Sequence, residues 1–83
     1  MMLIMPTTYR KNGYRFFFYS NEGSEPPHIH VIGHGGEAKI WLQTAEFAFA
    51  YNFSPAQRKW IRSKIKQHVL EFMEKWNDTF KNG

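Results

Sequence analysis

The chain has no cysteine, which excludes a disulfide framework and any thiolate metal centre. Long apolar runs are also missing. The opening run, Met1-Met2-Leu3-Ile4-Met5, falls short of the roughly 7–15 apolar residues of a secretory signal and the roughly 20 of a membrane span. The expectation is a cytoplasmic protein with no membrane partner. Also absent are a Walker loop, a Gly-x-Gly-x-x-Gly turn, a Gly-x-Ser-x-Gly elbow and a His-Glu-x-x-His helix. P-loop nucleotide binding, serine-elbow hydrolysis and zincin-type hydrolysis are thereby excluded. No repeat, low-complexity tract or linker divides the sequence.

What is present is a chain of 83 residues, 18% of them aromatic. That length supports a single domain, 1–83, whose large rings must supply much of the core. The net charge of +4 is unevenly spread. In residues 1–53, Arg10, Lys11, Arg15 and Lys39 balance Glu22, Glu25, Glu37 and Glu46, whereas residues 54–83 carry seven cations against three carboxylates. A basic C-terminal third suits an anionic partner, RNA among them, and equally a solvated helix flank.

Residues 1–4 read as a frayed extension and 5–9 as a leading strand that Pro6 confines to an edge. Arg10-Lys11-Asn12-Gly13 reads as a turn, on the strength of its Asn-Gly pair. Residues 14–20 form an aromatic strand, with Tyr14, Phe16 and Phe18 on one face and Arg15, Phe17 and Tyr19 on the other. A loop stiffened by Pro26 and Pro27 leads to a strand over 28–32. The Gly33-His34-Gly35-Gly36 turn follows, then strands over 37–42 and 46–51. Burying Ile29 and Val31 with Ala38 and Ile40 places His28, His30, Lys39 and Trp41 on the opposite, open face.

Ser54, Pro55 and Gln57 fit the N-cap, N1 and N3 positions of a helix. Ile61, Ile65, Val69, Phe72, Trp76 and Phe80 then form one stripe of helical period, predicting a single helix over 54–80. A continuous helix over 55–79 would be about 37 Å long. That exceeds a small sheet, so Trp76 and Phe80 are expected to overhang and meet a partner or a second copy. The fold predicted is α+β: an antiparallel sheet of three to four strands packed on one long C-terminal helix.

Chemistry concentrates in residues 20–31, which hold Glu22, Glu25, the Pro pair, His28 and His30. Two histidines two residues apart project from one face of a strand. Three readings of them stay open. They can pack beside Tyr19 and Trp41 as structural or binding residues. They can act as an acid–base pair, with Arg15 or Lys39 holding phosphate. They can ligate a divalent metal with Glu22 or Glu25, though no cofactor is predicted and His-x-His alone is a weak metal signal. Arg15, Tyr19, Glu22, Glu25, Lys39 and Trp41 are the candidate binding residues. Aromatics beside cations on a sheet also suit single-stranded RNA, without any ribonucleoprotein-type motif. His34 is expected to be solvated in its turn, and His68 to pack beside the helical stripe.

The run Gly13-Tyr14-Arg15-Phe16-Phe17-Phe18-Tyr19-Ser20-Asn21-Glu22-Gly23, followed by Glu25-Pro26-Pro27-His28-Ile29-His30-Val31, resembles the bacterial domain-of-unknown-function 4160 family. Met5-Pro6-Thr7, Glu37-Ala38-Lys39-Ile40-Trp41-Leu42 and Glu74-Lys75-Trp76-Asn77 extend the likeness over nearly the whole chain. That family has no settled activity. The resemblance implies a small bacterial protein often encoded beside another uncharacterised family, domain of unknown function 2442, in a toxin–antitoxin-like pair. The first expectation is therefore a binding module of a two-gene system, with a small partner protein encoded nearby. The alternatives are an RNA-directed nuclease using His28 and His30, and a metal-binding protein.

Overall fold

Two tight turns with left-handed backbone shape the sheet. Asn12 (φ 52°) and Gly13 (φ 83°) close the first, His34 (φ 52°) and Gly35 (φ 78°) the second. Both central residues having positive φ is the signature of a two-residue hairpin whose twist matches its strands. The computed structural model describes residues 8–19 and 23–80. Within them the strands are β1 (Tyr9–Lys11), β2 (Tyr14–Phe17), β3 (His28–Gly33), β4 (Gly36–Trp41) and β5 (Phe47–Tyr51). They pair antiparallel in chain order, so the sheet is a five-stranded meander. Helices α1 (Pro55–Gln67) and α2 (Val69–Phe80) follow.

The expected α+β architecture stands, but two details are corrected. The sheet has five strands because Arg10 and Lys11, read as part of a turn, pair with Arg15 and Tyr14 in β1. A short polar edge strand carries no apolar alternation to reveal it. The expected leading strand over 5–9 lies mostly outside the described residues, as do residues 1–4.

The predicted single helix is two. Its N-terminus forms as expected, with Ser54 Oγ accepting from Gln57 N at 3.1 Å and Gln57 Oε1 accepting from Ser54 N at 2.7 Å. The break falls at His68 (φ −112°, ψ 18°), whose ring turns onto Tyr9 of the edge strand, centroids 4.5 Å apart. Its Nδ1 lies 3.1 Å from Glu71 Oε1. Trp76 is consequently buried within the chain against Phe18, and Phe80 packs on Trp76 at 4.2 Å between centroids. The expected overhang of Trp76 is therefore corrected.

One core fills the space between sheet and helices. Phe16, Phe18, Ile29, Val31, Ala38, Ile40 and Leu42 meet Ile61 and Ile65 of α1 and Phe72 and Trp76 of α2. Gly36 is required where Phe53 crosses β4, since a Cβ there would strike the Phe53 ring and lie 2.8 Å from the Asn52 carbonyl. A bulge between Lys39 and Ile40 then turns β5, setting Phe49 opposite Lys39 but Phe47 opposite Ile40.

Candidate functional site

Strand register assembles the histidine cluster. His28 lies opposite Trp41 and His30 opposite Lys39, while Phe17 is paired with His30 and Arg15 with Ile32. Arg15, Phe17, His28, His30, Lys39 and Trp41 thus share the face turned from the main core, in the register that the sequence predicts. Tyr19 joins through its ring, 4.5 Å from His30. The Phe17 ring lies along the other side of His30, at 5.8 Å and 23°.

Polar contacts tie the loop to this face. His28 Nδ1 donates to the Pro26 carbonyl at 2.9 Å, which places its proton on that nitrogen. Leu42 N donates to the Pro27 carbonyl at 3.0 Å, anchoring the proline pair beside the end of β4. Glu25 accepts from Lys39 Nζ at 2.5 Å and lies 3.7 Å from His28 Nδ1. Lys39 Nζ also stands 4.8 Å from the Trp41 ring, and the Arg15 guanidinium 4.8 Å from that of Phe17. His28 and His30 touch edge to face at 5.3 Å, and Trp76 of α2 reaches His28 at 5.0 Å.

Burial corrects the expectation that this face is open. Phe17 is fully buried, His28 is 1% exposed and His30 4%. A buried imidazole with its proton committed to a backbone carbonyl is a poor shuttle to an outside substrate. Among the described residues, no group of three or more His, Asp or Glu stands ready to hold a metal ion. Around the buried pair, Arg10, Glu25, Ile32 and Tyr51 are exposed, and Arg15, Tyr19, Glu37, Lys39, Trp41 and Phe49 partly so.

A family model described as "Domain of unknown function (DUF4160)" matches residues 13–77. The chain belongs to this family. No curated protein and no solved structure matches the chain. The span matched within DUF4160 takes in β2 to β5, α1 and most of α2, and so the whole histidine cluster.

Of the residues singled out from sequence, this DUF4160 member brings Arg15, Tyr19, Glu25, His28, His30, Lys39 and Trp41 together; Glu22 lies outside the described residues. His34 is exposed as expected, yet its Nε2 donates to the Asn12 carbonyl at 2.8 Å, linking the two hairpin turns. His68 packs on Tyr9 and Phe72. Sequence reasoning missed Trp76 as a wall of the cluster, because a helical stripe gives no hint of which sheet residue it meets. It missed the Arg10–Arg15 pairing too, though the Asn12-Gly13 turn fixes that register once β1 is read as a strand. None of the described helices is long and apolar enough to cross a membrane.

Proposed function

We propose that this chain is a binding module that receives an extended segment of a small partner protein along β5, as one half of a two-gene, toxin–antitoxin-like pair. The outer edge of β5, on which no other described strand pairs, carries this reading. Phe47–Tyr51 ends the sheet with five residues that include neither charge nor proline, and Tyr51 is 63% exposed. Among the described residues the opposite edge is the three-residue β1, which carries Arg10 and Lys11, charges of the kind that deter strand addition. An edge left without them is suited to pairing with another chain.

The bulge favours a foreign strand over a second copy. In a two-fold pair centred on Phe49, Tyr51 would lie opposite the second copy's Phe47. Those residues belong to opposite faces, since Tyr51 pairs with Glu37 and Phe47 with Ile40. Arg62 stands over Phe47 at 5.3 Å, and the chain carries +4, so the segment best received is apolar and acidic. The buried His28 and His30 then hold the loop and sheet in shape, a role that their burial supports better than acid–base or metal chemistry.

Co-expression with the product of the adjacent gene tests the proposal. A stoichiometric complex is expected, and Ala48→Glu at the exposed bulge should weaken it about tenfold or more while leaving Tm nearly unchanged. No complex, or one indifferent to A48E, would overturn the reading. So would a homodimer seen by sedimentation that A48E dissociates, because the occupant would then be a second copy.

A further inference from the structure

The β1–β2 hairpin contains an electrostatic conflict that the fold leaves unresolved. Arg10 and Arg15 are direct partners across the ladder. Like charges placed opposite each other destabilise a sheet. Lys11 adds a third cation to the hairpin, from the other face, where it pairs with Tyr14, and among the described residues Glu25 is engaged with Lys39. Among the described residues, no carboxylate pairs with Arg10, Lys11 or Arg15. The Nε of Arg15 is buried with no hydrogen-bond partner among them. A depression of about 280 Å³ lies here, lined by Arg10, Lys11, Asn12, Gly13, Tyr14 and Arg15.

We propose that this hairpin depression is a binding site for phosphate groups, carried either by a free polyphosphate or nucleotide or by the backbone of single-stranded RNA. Arg10 and Arg15 both line this depression, and their guanidiniums offer forked donors that match phosphate oxygens, so that a bound dianion removes the repulsion between them. Arg15 is itself only partly exposed. Its guanidinium is already held over the Phe17 ring, so little side-chain freedom is lost on binding. The site lies at the sheet edge opposite β5, and it stands or falls independently of the partner proposed there.

Two probes separate the sources: sodium tripolyphosphate by calorimetry, and a fluorescein-labelled 12-nucleotide uridine oligomer by anisotropy. The wild-type chain is expected to bind at least one of them. Arg10→Gln and Lys11→Gln, both at exposed positions, should each weaken binding about tenfold with Tm unchanged or raised. If the oligomer binds, each variant should also lower the salt dependence, log K against log salt, by about 0.7. Binding of tripolyphosphate alone points to a free ligand, and preference for the oligomer points to RNA. The proposal is overturned if neither probe binds or if both variants bind as wild type. It is overturned equally if polyglutamate of matched charge displaces the oligomer as well as tripolyphosphate does. A48E should bind phosphate as wild type does, which keeps this test separate from that of the β5 edge.

Discussion

His28 donates from Nδ1 to the Pro26 carbonyl while its ring fills the space between Trp41 and Trp76. Both tasks are structural, so His28→Ala should open a cavity and release the loop. The expected loss is about 3 kcal/mol, by analogy with other buried rings, measured by urea denaturation. His28→Phe should recover part of that loss by restoring the packing. A stability change under 1 kcal/mol in H28A would contradict the tight packing described. The alternation of His28 and His30 with Ile29 and Val31 was legible in the sequence, and it placed each side chain on its correct face. The burial of His28 was not legible, because Trp76, which packs on it, lies 48 positions along the chain.

Elements differed in how plainly they announced themselves. The start of α1 was fully readable, since Ser54, Pro55 and Gln57 are local signals for local hydrogen bonds. Ser54→Ala removes the cap and should cost about 1 kcal/mol, read as a fall in Tm, with Ser54→Gly costing less. The break at His68 was hidden. Neither glycine nor proline marks it, and the hydrogen bonds His68 N to Lys64 O and Phe72 N to His68 O persist on both sides. The interruption coincides with the contact between His68 and Tyr9, a meeting of residues far apart in sequence. Strand β1 was concealed for the opposite reason. Its Arg10 and Lys11 obey local turn statistics, and only the closing geometry of Asn12 and Gly13 shows them to be paired.

At the scale of the whole molecule, 83 residues at 0.05–0.15 kcal/mol each suggest a stability of roughly 4–12 kcal/mol, within which either substitution above is easily measured. Every strand pairs with its neighbour in the chain, so the loops closed on folding are short. Refolding should be a single exponential on the millisecond scale or faster, with a V-shaped chevron in stopped-flow fluorescence. Curvature of the folding limb together with missing amplitude would argue against it.

The meander also has a meaning during synthesis. Each strand can join the last one as it leaves the ribosome, in the order of translation, without waiting for distant sequence. The layer that seals the sheet arrives only afterwards. Ile61, Ile65, Phe72 and Trp76 belong to the final third, which takes roughly two to six seconds to make at 5–20 residues per second. For that interval the nascent sheet shows its apolar side and the outer edge of β5 together. The partner proposed above, if translated close by, would meet the unfinished protein first as a shield.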